Sequence, residues 1–306
     1  MPVSLPQTLR PRVVDPQWGT PLATVLGTIL VLGAILALGT APALAQGDST
    51  PSAEPQDDSR QIERRLPARD AGRLSLDIPV GSLAIVGWDR PEVVFEAQLG
   101  PAVRGLAVEA DGQRIHLATE LDDGDRTGDD AAVHLTLRMP AASRLKVRTV
   151  AASVEVRNAL GHLDLQSASG PITVVDGAPR EVTAASVSGN LHFESPALVL
   201  HSRTVSGRTV LRRTVEDVQL WSSTGDLEVV APAGEDAMRV LGEMRLSTVS
   251  GRIDYRGRLE PTGRLQISSH HGPIHLALPA EQLDIDTPRL VVESLEGSIE
   301  RSELRF

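Results

Sequence analysis

Residues 204–209 read Thr-Val-Ser-Gly-Arg-Thr and residues 248–253 read Thr-Val-Ser-Gly-Arg-Ile, so one short motif occurs twice. Five further segments align with these two on the central glycine, and the steps between successive glycines are 19, 18, 18, 26, 21 and 25 residues. A repeat of roughly 20–50 residues is typical of solenoids and related architectures. The repeat glycines, which we predict to be structural, are Gly170, Gly189, Gly207, Gly225, Gly251, Gly272 and Gly297.

The columns around each repeat glycine carry a regular pattern. Apolar residues usually stand five before and two after the glycine, with polar or mixed residues between them. This alternation predicts short strands with one buried face, and the glycine predicts a bend or a left-handed backbone that a Cβ would hinder. A hydroxyl residue stands three before the glycine position in every copy, including a degenerate first one. We predict a structural ladder of Thr149, Ser167, Ser186, Thr204, Ser222, Thr248, Ser269 and Ser294.

A unit of this size with two short strands cannot bury its apolar face alone, so neighbouring units must stack. The sequence therefore predicts an all-β fold, a parallel single-stranded β-solenoid (β-helix) with an N-terminal β cap. The usual chirality of parallel crossovers predicts a right-handed solenoid. The alternative is an antiparallel sandwich of hairpins, which gives no reason for one residue type at the same phase of every unit.

Composition divides the chain into four segments. We predict a signal peptide or uncleaved anchor over residues 1–45 and a disordered linker, small, polar and Pro-containing, over residues 46–60. Residues 61–145 alternate like strands but lack the glycine register, which predicts the N-terminal β cap. Residues 146–306 hold the solenoid repeats.

The N-terminal segment has the order of an export signal. Residues 22–39 carry no charge, Arg10 and Arg12 precede them, and a small-x-small site at Ala43 and Ala45 follows. This order predicts cleavage after Ala45. The alternative is an uncleaved anchor, in which residues 22–39 supply the only membrane contact. Both place the rest of the chain outside the cytoplasm, in the periplasm or at the cell surface.

Composition excludes several functions. The 306 residues carry a net charge of -10, which argues against nucleic acid as a partner because phosphates need a basic surface. The absence of Cys excludes disulfides, Cys-ligated zinc and iron–sulfur clusters. Aromatic residues make up only 2% of the chain, as a narrow stacked core requires. We predict no cofactor.

The repeated Thr-Val-Ser-Gly-x-Ile units at 204–209 and 248–253, with the lead-in Leu137-Arg138-Met139-Pro140, resemble a bacterial family. This is the DUF4097 family, the "putative adhesin" or "toastrack" β-strand repeat group, and the similarity covers roughly residues 70–305. The resemblance implies an extracytoplasmic β-helix, adhesin-like or linked to envelope-stress sensing. It supplies no catalytic residues.

Two motifs could hold a metal ion, and each has a simpler explanation. His270, His271 and His275 form the densest histidine group, but no third ligand type is fixed by spacing. The loop Asp122–Asp130 matches the opening of a calcium loop, yet its last ligand position falls on His134 within a strand. A solvated acidic loop between two strands of the cap explains it better, because the flanking helices of a calcium loop are also missing. Trp221 is a possible surface contact residue, at a position otherwise occupied by polar side chains.

These features together predict a non-catalytic exported protein of the cell envelope, a binding or scaffold module that is adhesin-like or senses envelope stress. Its partner would be an envelope protein, a peptide or a glycan. The alternative is a carbohydrate-active β-helix enzyme of the polysaccharide lyase or hydrolase type. Carboxylates stand three after the repeat-glycine position at Glu155, Glu228, Asp254 and Glu300. Two of these in adjacent rungs could reach the separation of a glycosidase pair.

Overall fold

The computed structural model describes residues 60–69, 71–111, 113–121, 128–213, 215–230, 238–282 and 289–303. They all belong to one compact unit that spans Ser52–Phe306. The predicted signal and, apart from Arg60, the predicted linker lie outside the described residues. In the described part, no helix is long and apolar enough to cross a membrane.

Strands dominate the described residues, and the only helices among them are two 3-10 turns, Asp129–Ala131 and Ala280–Gln282. The strands in chain order are β1 (Arg60–Pro67), β2 (Arg73–Asp77), β3 (Gly81–Trp88), β4 (Glu92–Leu99), β5 (Val103–Ala110), β6 (Arg114–Leu121), β7 (Val133–Pro140), β8 (Arg144–Thr149), β9 (Ser153–Arg157), β10 (His162–Ser167), β11 (Ile172–Val175), β12 (Glu181–Ser186), β13 (Leu191–Glu194), β14 (Val199–Thr204), β15 (Thr209–Leu211), β16 (Asp217–Ser222), β17 (Leu227–Val229), β18 (Met238–Val240), β19 (Glu243–Thr248), β20 (Ile253–Leu259), β21 (Arg264–Ser269), β22 (Ile274–Leu278), β23 (Leu290–Ser294) and β24 (Ile299–Glu303).

The described strands form two sheets in which parallel pairs prevail. Sheet A runs β1-β4-β7-β3-β9-β11-β13-β15-β17-β20-β22-β24, with β18 beside β20. Sheet B runs β23-β21-β19-β16-β14-β12-β10-β8-β2-β6-β5. From β8 onward, apart from the short β18, the chain places one strand in sheet B and the next in sheet A, and we call each such pair a rung. The architecture is therefore all-β and solenoid-like, as the repeat predicts.

Period-two alternation sets which side chains enter the core. In β10 the residues Leu163, Leu165 and Ser167 are buried, while the other three residues of the strand are half-buried on the outer face. Neighbouring strands pair in register, so Leu163 lies beside Leu145 on one side and Val182 on the other. The inward side chains of both sheets belong to one apolar cluster. Stacking in register thus turns the apolar columns of the sequence into a continuous core.

The repeat glycines lie at the bend between the two strands of a rung, and each approaches the bend of the preceding rung closely. A Cβ on Gly225 would lie 2.8 Å from the carbonyl carbon of Gly207, closer than real Cβ contacts. None of the seven repeat glycines is among the described glycines with positive φ, such as Gly81 and Gly177. The glycine is required by close packing of the backbones and not by a left-handed conformation.

Hydroxyls of the Ser/Thr column bond mainly within their own bend. The backbone N–H of Gly189 donates to Ser186 Oγ at 2.8 Å, and that of Gly207 donates to Thr204 Oγ1 at 3.0 Å. Bonds to the next rung also occur, because Thr149 Oγ1 donates to the carbonyl of Pro79 at 3.1 Å. A side chain that captures the N–H three residues on stabilises a tight turn.

The segment 61–145 contributes both antiparallel edge strands and parallel pairs. Strands β1, β4 and β5 pair only antiparallel. The pair β2–β3 lies between β6–β7 and β8–β9 in both sheets, although β2–β3 comes first in the chain. Two further strand pairs therefore extend the sheets without the glycine motif. The division of the chain at residue 145 stays a prediction.

Candidate functional site

Three arginines from neighbouring strands lie side by side on the outer face of sheet B. Arg73 of β2 pairs in register with Arg114 of β6 on one side and with Arg144 of β8 on the other. Each is the first residue of its strand and is exposed, and the residue that follows each of them is buried in the core. Parallel pairing sets neighbouring arginines roughly 4.8 Å apart at the backbone.

A cavity of about 720 Å³ opens over these arginines. Its lining also includes other basic residues, two carboxylates and apolar residues of the core strands such as Leu74 and Leu145. We call this surface the basic groove and define it by Arg73, Arg114, Arg144, Lys146, His116 and His162.

Each acidic residue of the basic groove has a basic or histidine partner. Asp164 pairs with Lys146 at 3.0 Å between Oδ2 and Nζ, and Glu181 pairs with His162 at 3.1 Å between Oε2 and Nδ1. Among the described ion pairs, none involves the three arginines. With histidine neutral, the four Arg and Lys residues and the two carboxylates of the lining give a net charge of +2. The groove is therefore a positive region on an acidic chain.

One carboxylate stands near the rim of the basic groove. Asp111 Oδ1 accepts the backbone N–H groups of Arg114 at 2.7 Å and Gln113 at 3.0 Å. The bond from Arg114 above all, helped by that from Gln113 and weakly by the charge of the Arg114 guanidinium, lowers the pKa of Asp111. Asp111 therefore mainly stabilises the turn between β5 and β6.

Trp221 lies on the same outer face of sheet B, several strands away from the groove, and is half-buried. Its neighbour in the register is Arg203, whose Cζ lies 5.5 Å from the centroid of the Trp221 ring. A cation over an indole face is attracted by the ring quadrupole. The arrangement leaves part of the indole available for contact, and a contact role for Trp221 stays a prediction.

The three histidines singled out in the sequence do not converge. The His270 and His271 rings are tilted by 57° to one another with their centroids 4.1 Å apart, and His271 Nδ1 lies 2.7 Å from Glu296 Oε2. His275 stands in sheet A between Asp254 and Glu300, at 3.6 and 3.7 Å. Within the described ranges, no group of three or more His, Asp or Glu residues is arranged to hold a metal ion.

The acidic loop lies largely beyond the described residues, because positions 122–127 are not among them. Asp129 and Asp130 belong to the 3-10 turn before β7. The calcium hypothesis for Asp122–Asp130 therefore stays a prediction.

Two of the carboxylates that could serve a carbohydrate-active enzyme are direct neighbours on sheet A. Glu228 of β17 lies beside Asp254 of β20. Each has a basic neighbour: Arg208 forms an ion pair with Glu228, and His275 lies beside Asp254. Partly exposed carboxylates that each have a basic or histidine neighbour differ from the acid of a glycosidase, which is held in an apolar pocket.

Sequence reasoning missed the basic groove. Arg73, Arg114 and Arg144 are separated by 41 and 30 residues and carry no common motif. Only the interleaved strand order β6-β2-β8 brings them together. A usable signal was present, since each arginine directly precedes an apolar alternating run.

Solved structures of two bacterial proteins are similar in fold. A protein from Parabacteroides distasonis named "putative lipid binding protein" aligns with a TM-score of 0.54 and 13% identity, over 81% of this chain and 98% of its own. A "putative adhesin" from the same species aligns with a TM-score of 0.50 and 12% identity, over 80% of this chain and 98% of its own. Likeness at this identity shows the fold alone.

No family model matches the chain. No curated protein matches it either.

Proposed function

We propose that the chain is a non-catalytic, exported binding or scaffold protein of the cell envelope, of an adhesin-like kind. The observation that carries this proposal is the basic groove, an open concave surface whose carboxylates are held in ion pairs. Such a surface suits a charged partner better than acid–base chemistry, which requires a free acid and base close to a bound substrate. The names of the two similar structures agree with a binding role.

Three finer features belong to the same proposal. Residues 1–45 act as the export signal, and residues 61–145 form the cap of a solenoid that runs over 146–306. The rungs wind as a right-handed single-stranded β-solenoid, because parallel crossovers are right-handed in nearly all cases. The Thr-Val-Ser-Gly-x-Ile-type units at 204–209 and 248–253, which lie at the bends of the rungs, support membership of the DUF4097 family.

Export and binding can be tested together on the full chain. The protein is expressed in a bacterium with its own N-terminus, its compartment is determined by fractionation, and its intact mass shows whether cleavage follows Ala45. Purified protein is then sedimented with isolated envelope fractions. Retention in the cytoplasm, or no sedimentation with any fraction, would contradict the proposal.

A carbohydrate-active enzyme is the second candidate, and the register of Glu228 and Asp254 is the observation that favours it. The assay is release of reducing ends or unsaturated sugars from envelope polysaccharides. We expect none from the wild-type protein. Release that disappears in Glu228→Gln and Asp254→Asn would replace the binding proposal with the enzymatic one.

A further inference from the structure

We propose that the basic groove binds a phosphate-bearing ligand, through the guanidinium groups of Arg73, Arg114 and Arg144. This inference rests on the proposed binding function and names its ligand chemistry. The argument has three steps: the charge pattern of the sheet, the shape of the guanidinium group and the span of the three residues.

The first step is the charge pattern on sheet B. Opposite charges directly across neighbouring strands stabilise a sheet, and like charges destabilise it. Much of the outer face follows this rule: His162 faces Glu181, and Arg264 faces Glu243 in the same register position. The three arginines break it, with like charges on three adjacent strands. Like charges also meet on sheet A, as with Glu228 and Asp254, but those residues have basic or histidine partners, whereas no ion pair is described for the three arginines. A local rule broken without such compensation is expected at a functional site, where a ligand supplies the missing charge.

The second step is the chemistry of the side chains. Guanidinium is planar and permanently charged, and it binds phosphate through two parallel N–H donors. Arg114 has an acidic neighbour at its own turn, Asp111, which is engaged by backbone N–H groups. With Arg73 and Arg144 included, the lining of the groove has a net charge of +2, which an anion would neutralise.

The third step is the span. Three neighbouring strands place the outer two arginines roughly 10 Å apart, twice the strand spacing. A single phosphate can meet one or two guanidinium groups, whereas a short chain of linked phosphates can meet all three. We therefore expect affinity to rise from orthophosphate through pyrophosphate to tripolyphosphate. Sulfate and a flexible tricarboxylate are the comparison anions.

The test measures binding of these anions to the full chain by titration calorimetry at low ionic strength. In Arg73→Gln we expect the affinity for tripolyphosphate to fall about ten- to a hundredfold, since hydrogen bonds between charged groups are lost. The matched control is Arg264→Gln, which changes an exposed arginine at the same register position of the same face, outside the groove. It should bind like wild type. Thermal melting of both variants shows whether they fold.

A second set of measurements distinguishes a lipid headgroup from a soluble phosphate as the ligand. Vesicles of phosphatidylcholine that contain phosphatidic acid present a phosphate monoester on a lipid, and vesicles of phosphatidylcholine alone are the control. Binding to the acidic vesicles that depends on Arg73 assigns the groove to a lipid headgroup, and binding to soluble tripolyphosphate alone assigns it to a soluble or polymeric phosphate. Both outcomes support the phosphate chemistry.

Three outcomes overturn the inference: no binding of any phosphate, equal binding by Arg73→Gln and wild type, or equal affinity for the tricarboxylate and tripolyphosphate. These outcomes leave the proposed function standing if the protein still sediments with envelope fractions. Loss of sedimentation and retention of Arg73-dependent phosphate binding would instead refute the envelope role alone.

Discussion

Replacing Gly225 by alanine tests whether the repeat glycines are required because the backbones of successive bends lie in close contact. The added Cβ would lie 2.8 Å from the carbonyl carbon of Gly207 and 2.9 Å from that of Ser206. Ordinary van der Waals contact begins near 3.4 Å, and the carbonyl oxygen of Gly207 lies closer to the added Cβ than either of these carbons, so the two bends must separate by more than about 0.6 Å. The neighbouring bond from Thr224 N–H to the carbonyl of Val205, at 2.7 Å, would lengthen with them.

The expected cost follows from these contacts. Overpacking of this kind costs about 1–3 kcal/mol, and a weakened backbone hydrogen bond adds about 1 kcal/mol. The lower entropy of the unfolded alanine variant returns about 0.4–1 kcal/mol. We therefore expect Gly225→Ala to reduce the free energy of unfolding by about 2–3 kcal/mol.

Urea denaturation followed by circular dichroism measures this loss as a lower midpoint. The matched control is Gly105→Ala, because the nearest atom to its new Cβ is Glu120 Oε2 at 3.8 Å and Gly105 is not among the positive-φ glycines. It should lie within about 1 kcal/mol of wild type. Equal midpoints for Gly225→Ala and wild type would refute the packing explanation.

Three further predictions concern single polar groups. Tyr255 is buried, burial raises its pKa, and its hydroxyl has no hydrogen-bond partner among the described residues. Tyr255→Phe should therefore keep or raise the melting temperature, and a destabilisation above about 1 kcal/mol would contradict this. Thr204→Val should lower the free energy of unfolding by about 1–3 kcal/mol, because the N–H of Gly207 loses its hydrogen-bond acceptor. Thr209→Val should leave the free energy of unfolding unchanged, because the buried hydroxyl it removes has no partner among the described residues. Equal effects of the two variants would refute a stabilising role for the bond between Gly207 and Thr204. The pKa of Asp111 should lie below 3.8 in a carboxyl NMR titration, so its stabilising contribution is present above about pH 4 and is lost as the pH falls; an unshifted value would contradict the observed bonds.

The sequence was sufficient to predict the repetitive half of the molecule, because every unit there faces the same constraint. Residues such as Leu165 and Ile172 alternate with half-buried neighbours, and Gly170 occupies a place where a side chain would strike the previous bend. A repeat multiplies a weak local signal until it becomes specific. The physical reason for the glycine required the three-dimensional distance.

The basic groove could not be predicted from the sequence, because its arginines belong to no repeated motif. The strand pair that begins at Arg73 lacks the repeat motif at its bend, where Pro79 and Gly81 stand, and its neighbours come later in the chain. Nothing in the spacing of Arg73, Arg114 and Arg144 shows that they share a register. Their proximity is a property of topology, which local alternation does not encode.

The interleaving of β2–β3 between later strands also affects how the chain finds its structure. A regular rung closes on the one before it over short distances, as Leu163 does with Leu145 across 18 residues. Leu74 of β2 must instead meet Ile115 across 41 residues and Leu145 across 71. Because loop-closure entropy grows with the logarithm of length, joining β2 to β8 costs about 1 kcal/mol more than joining two regular rungs. The regular rungs can therefore assemble by local steps, while the first-synthesised end requires long-range encounters before it gains any parallel partner.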